Sequence, residues 1–122
     1  MITFEVDDIK DINGELFRFL RYLEALGVNA DAVFDSRLVS CELLTNVIRH
    51  CGGTACFSGE FARGEVVITV SATQPNGKIV VPDLPSVLAE SGRGLYIVNA
   101  VSGGNVKITG GEVTVKLTVR KN

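Results

Sequence analysis

The stretch Cys41-Glu42-Leu43-Leu44-Thr45-Asn46-Val47-Ile48-Arg49-His50 decides how the rest of this chain is read. Phe34, Leu38, Cys41, Leu44, Val47 and Ile48 recur at helical spacing and predict a central helix with an apolar face. Glu42, Asn46 and His50 follow one another four residues apart. Steps of four advance about 40° round a helix, so the three polar groups form one slanting stripe. Apolar residues on the rest of the helix predict that it is largely buried. A buried carboxylate or amide without a partner costs a few kcal/mol. The stripe must therefore face solvent, internal hydrogen-bond partners or a site, and periodicity leaves all three open.

A second stretch, Ser91-Gly92-Arg93-Gly94-Leu95, opens the apolar run Leu95-Tyr96-Ile97-Val98-Asn99-Ala100-Val101, which reads as a short helix. Glycines at a helix start let a ligand approach the backbone, where free N–H groups attract phosphate. Alone, Gly-x-Gly-Leu is also an ordinary loop-to-helix entry. Its pairing with an upstream Glu-x-x-x-Asn-x-x-x-His narrows the reading.

Together the two stretches resemble the ATP-binding domain shared by histidine kinases, gyrase-type ATPases and bacterial anti-sigma-factor serine kinases. Glu42 to His50 is similar to that family's N box, and Gly92-Arg93-Gly94-Leu95 to its second glycine box. The small size and the carboxylate at Glu42 point to the anti-sigma branch. The resemblance runs over nearly the whole chain.

Composition sets the outer bounds. A chain of 122 residues, 46% hydrophobic and 21% charged, is expected to form one globular domain spanning 1–122. A net charge of -2 gives no general pull toward nucleic acid. No apolar run reaches the roughly 18 residues of a membrane span, and Met1-Ile2-Thr3-Phe4-Glu5-Val6-Asp7-Asp8 has no signal-peptide character. The expected compartment is the cytoplasm. Cys41, Cys51 and Cys56 have no metal-site spacing and read as buried thiols rather than a zinc set with His50.

In chain order, Ile2 to Val6 alternates as a half-buried strand should. Asp11, Asn13 and Gly14 signal a helix through about Leu26, with a Leu16, Leu20, Leu23 stripe and Gly27 closing it. Asn29 or Asp31 can cap the central helix, which Gly52-Gly53 ends. Thr54 to Ala62 and Glu65 to Ser71 read as strands round an Arg63-Gly64 turn, the second of them central and covered. Ala72 to Glu90 is irregular, with Pro75, Pro82 and Pro85 and one short extended piece at Lys78 to Val81. The last helix ends at Ser102-Gly103-Gly104, and strands Asn105 to Thr109 and Val113 to Val119 flank Gly110-Gly111. The order β-α-α-β-β-loop-α-β-β predicts an α+β two-layer sandwich, a mixed sheet with helices on one face. The resemblance implies the same architecture.

The resemblance also assigns roles. It implies that Glu42 orients and activates the nucleophile, that Asn46 holds Mg²⁺, and that Gly92, Arg93, Gly94 and Leu95 cradle the phosphates of ATP. It implies a STAS-domain anti-anti-sigma partner, a sigma factor as the regulated protein, and a homodimer. His50 reads as structural. The departure lies at the base end of the site. The family follows its central strand with Asp-x-Gly-x-Gly, whose Asp reads the adenine amino group; here Ala72 stands for the Asp and Gln74 for the first glycine. Losing a hydrogen-bonded carboxylate removes roughly 1.5–3 kcal/mol of adenine recognition. Gly111-Glu112 likewise replaces a usual Gly-Thr. Two readings compete: a serine-protein kinase, and a degenerate binding module of the same fold. A sensor-kinase ATPase half is disfavoured, because no sensor, membrane or phosphoacceptor-helix segment is read in the sequence.

Overall fold

The computed structural model describes residues 1–51, 53–73, 102–103, 105–109 and 112–119. Its elements are β1 (Ile2–Val6), a 3₁₀ turn (Ile9–Asp11), α1 (Ile12–Ala25), α2 (Ala30–Cys51), β2 (Thr54–Ala62), β3 (Glu65–Thr73), β4 (Val106–Thr109) and β5 (Glu112–Thr118). The five strands form one sheet in the order β1-β2-β3-β5-β4.

Local chemistry fixes the joints. Gly27 (φ +83°) ends α1 with paired bonds, its N–H to the Glu24 carbonyl at 3.0 Å and the Val28 N–H to the Leu23 carbonyl at 3.1 Å. That is the Schellman arrangement, and the buried Leu23 and Val28 supply its apolar contact. Asn29 starts α2, its Oδ1 accepting from the Ala32 N–H at 2.8 Å. Between β2 and β3, Arg63 and Gly64 both have positive φ (55° and 76°), the twist that suits a two-residue hairpin.

Every described strand pair is antiparallel, which corrects the expected mixed sheet. The reason is connectivity. The chain reverses three times between β1 and β2, on entering α1, between α1 and α2, and on leaving α2, so these neighbours run in opposite directions. After β3 the chain returns to β4, yet β5 is the strand that pairs with β3 and β4 lies at the edge. A mixed sheet would have required β4 beside β3.

One face of the sheet is apolar and carries the helices. The row Phe4, Phe57, Val70, Val113 crosses four strands, and Val6, Ala55 and Ala72 form the next row. Phe57 stacks on Phe4 at 4.5 Å and meets the Phe19 ring edge-on at 5.0 Å. Each such buried side chain is worth about 1.5–3 kcal/mol. Gly59 makes room for Phe19: a Cβ there would lie 2.8 Å from Phe19 Cζ and nearer still to Cε1. Tyr22 completes the α1 contact, its hydroxyl accepting from the Phe61 N–H at 3.2 Å beyond the start of β1. The opposite face presents Thr3, Ser58, Thr69, Thr114 and Lys107 in one polar row.

The α1 stripe is Ile12, Leu16, Phe19 and Leu23, with the expected Leu20 only partly buried. β3 runs two residues beyond Ser71, so Ala72 and Thr73 belong to the sheet. Ser102 is helical and Gly103 takes φ +66°, as a helix end there requires. The expected irregular segment after Thr73, the extended piece at Lys78 to Val81, the helix after Gly94 and the Gly110-Gly111 turn lie outside the described residues.

Candidate functional site

α2 packs on the sheet through Val39, Leu43, Leu44 and Val47, with Ser36 and Ser40 also fully buried. This corrects the expected apolar face. Leu44 and Val47 do enter the core, and Cys41 and Ile48 are partly buried beside it. Phe34 remains 59% exposed, because nine residues at about 100° each place it opposite Leu43. α2 therefore carries two apolar stripes, and the sheet selects the one that includes two serines. Ser36 Oγ donates to the Ala32 carbonyl at 2.7 Å, whereas Ser40 Oγ is buried with no hydrogen-bond partner among the described residues.

The polar stripe falls between these faces. Taking Leu43 as the origin, Glu42 lies about 100° round the helix and Asn46 about 60° on the same side. The stripe thus slants toward the sheet as α2 runs toward Cys51. Glu42 is half-buried, and Asn46 is buried at 4% exposure and is not without a partner. The choice among solvent, internal partners and a site is narrowed for Asn46: its amide is held inside the protein. One helical turn, about 6 Å of rise, separates it from Glu42, so a carboxylate at the margin and an amide at the wall face the same flank. A carboxylate can accept a proton, and an amide oxygen is a hard ligand suited to Mg²⁺. Proton acceptance and hard-oxygen ligation are the chemistries this flank offers.

Of the remaining expected site residues, Gly92, Arg93, Gly94 and Leu95 lie outside the described residues, as do Gln74 and the His50 side chain. Ala72 is described. It is 0% exposed on the helix-bearing face of β3, opposite the equally buried Ala55. The described residues of the row they share with Val6 offer a bound base no hydrogen-bonding side chain.

The two cysteines whose side chains are described, Cys41 and Cys56, lie on opposite sides of the sheet. Cys41 lies on the helix side, packed against the core, whereas Cys56 lies on the other face of the sheet. There Cys56 contacts Glu5 Oε1 at 3.8 Å and Thr73 Oγ1 at 3.6 Å. The sheet separates the two thiols. Among the described residues no group of three or more His, Cys, Asp or Glu side chains could hold a metal ion. Burial pushes the Cys41 thiol above its ordinary pKa, with Arg37 opposing and Glu42 adding to the rise, so it stays protonated and weakly nucleophilic.

A feature that helical periodicity missed lies where α1 gives way to α2. Glu24, Val28, Ala30, Val33, Phe34 and Arg37 line a groove of about 550 Å³. The signal was present in Phe34, but the same spacing suits a core position. Among the described residues no helix is long and apolar enough to cross a membrane. A scan of protein-family models finds no match to this chain, and a search of curated proteins finds none either.

Proposed function

We propose that this chain is an ATP-binding regulator of the anti-sigma-factor type, a cytoplasmic serine-protein kinase whose substrate is a STAS-domain anti-anti-sigma partner. The observation that carries the reading is the pair on α2: Asn46 buried, Glu42 half-buried one turn before it, both on one flank of a helix packed on a sheet. A helix that needed only to fill the core has no use for that pair. Asn46 would hold Mg²⁺ through its amide oxygen, and ATP supplies the phosphoryl group when bound. Glu42 would take the serine hydroxyl proton as the serine oxygen bonds to phosphorus and ADP departs. Gly92, Arg93, Gly94 and Leu95 would bind the phosphates, as the resemblance implies. The same resemblance supports a homodimer that grips a sigma factor, with no direct nucleic-acid contact.

A second reading rests on Ala72. Its methyl group stands, fully buried, where the resemblance calls for an adenine-reading carboxylate. That favours a module of the same fold that binds protein partners and holds nucleotide weakly or not at all. Titration calorimetry with Mg-ATP separates the two readings. The kinase reading expects Mg-dependent heat that Asn46→Ala weakens, with circular dichroism verifying that the variant is folded. No heat at millimolar Mg-ATP would leave the binding module.

A further inference from the structure

The groove at the α1–α2 corner contains apolar surface that the fold does not require. The Schellman turn is closed by Leu23 and Val28, yet the neighbouring Leu26 is 50% exposed and contributes nothing to that contact. Phe34, opposite the sheet-facing side of α2, is 59% exposed. Large apolar side chains gathered at one exposed corner mark an interaction surface more often than scattered ones do. The groove beside Phe34 is walled by Val28, Ala30 and Val33.

Charge says what covers it. Glu24 and Arg37 stand on the two walls, and neither makes an ion pair among the described residues. Going round α2 from Phe34, the next positions on the side away from Arg37 belong to Asp31 and Asp35. Glu24 and Arg37 balance within the groove, whereas Asp31 and Asp35 make the far flank of Phe34 acidic. Partial burial, then repulsion from Asp31 one turn earlier, holds the Asp35 carboxyl above its ordinary range. An incoming cation would ease this repulsion. An anionic bilayer would be repelled by the same charges. A second copy related by a two-fold axis would set this acidic flank against itself.

We propose that the groove is the docking site for a basic amphipathic helix of a partner protein, its apolar stripe against Phe34, Val33 and Val28 and its Lys or Arg side chains toward Asp31 and Asp35. Helix-in-groove recognition of this kind uses apolar anchors at helical spacing, with flanking charge selecting the partner. The site is separate from the Glu42–Asn46 flank and does not rest on the nucleotide reading.

The test uses the full chain without nucleotide and two synthetic helical peptides of equal apolar content, one of Leu and Lys and one of Leu and Glu. Amide chemical shifts are followed by NMR, and affinity by fluorescence anisotropy. The Leu/Lys peptide should shift amides within 24–37, and Phe34→Ala should weaken it by about tenfold or more, as loss of an interface anchor does. Asp31→Asn with Asp35→Asn should weaken it and flatten its salt dependence. Phe34 and both aspartates project from the core, so thermal unfolding should show these variants folded. Equal binding of the Leu/Glu peptide would overturn the proposal. So would shifts that map elsewhere, or Leu/Lys binding unchanged by Phe34→Ala. Self-association that Phe34→Ala abolishes would assign the groove to a second copy instead, and binding to phosphatidylglycerol vesicles through Phe34 would assign it to a membrane.

Discussion

Replacing Ala72 with Asp puts a carboxyl into the row Val6, Ala55, Ala72, where the side chain present is 0% exposed and the described residues of the row offer no polar partner. Burying a neutral carboxyl without a hydrogen bond costs about 1–3 kcal/mol on the protein mutational scale. Ionisation costs more, so burial lifts the folded-state pKa of the new group above its unfolded value of about 3.9. The sign follows. Below the unfolded pKa both states hold the proton and only the neutral penalty remains. As pH rises past it the unfolded chain releases the proton first, and destabilisation grows by about 1.4 kcal/mol per pH unit until the folded pKa is reached. A shift of two units makes the total at neutral pH about 4–6 kcal/mol, a large part of the 5–15 kcal/mol that holds a typical domain together. Each kcal/mol moves the melting temperature of a domain this size by about 4 °C. Thermal unfolding of wild type and Ala72→Asp from pH 4 to pH 8 should therefore show a gap that widens with pH. Mg-ATP should narrow the gap if adenine supplies the missing partner. A variant that melts with wild type at every pH would refute the argument, because Ala72 would then lie open to water. A pH-dependent gap that Mg-ATP leaves unchanged would retain the burial argument and remove the adenine site.

Four further outcomes are expected. Glu42→Gln should lower phosphate transfer to a STAS partner by about 10²–10⁴-fold in a radiolabel assay, while calorimetry shows ATP affinity changed by less than about tenfold; equal transfer would remove Glu42 from the chemistry. Gly59→Ala should destabilise the fold by about 1–3 kcal/mol through its clash with Phe19. Phe19→Leu should partly rescue it, and strict additivity in denaturant melts would contradict the packing. Ser40→Ala should be neutral or stabilising by up to about 2 kcal/mol, since it removes a buried hydroxyl with no partner among the described residues, and a clear loss of stability would reveal a partner. Asp35, whose folded-state pKa is raised, opposes folding increasingly as pH climbs through its unfolded value. Asp35→Asn should therefore gain on wild type between pH 4 and pH 7 in thermal melts.

What the sequence determined by itself is what neighbouring residues settle among themselves. The β2 boundaries, the Arg63-Gly64 turn and the Gly27 helix end were legible, and the α2 cap was narrowed to Asn29 or Asp31, because backbone dihedrals and caps depend on residues only a few positions apart. The spacing of Glu42 and Asn46 was legible for the same reason: a helix fixes which residues share a stripe. Tertiary structure decided which face of that helix met the sheet. Spacing named one apolar stripe on α2, which included Phe34 and left out Leu43. Packing against β2 and β3 buried Leu43 and left Phe34 outside, since only the fit of distant elements ranks one apolar stripe above another. Strand order was equally non-local. Nothing in the β4 or β5 sequences states that β5 sits beside β3, yet that choice made the described sheet antiparallel. The burial of Asn46 belongs to the same class: a stripe has no inside until the helix is packed.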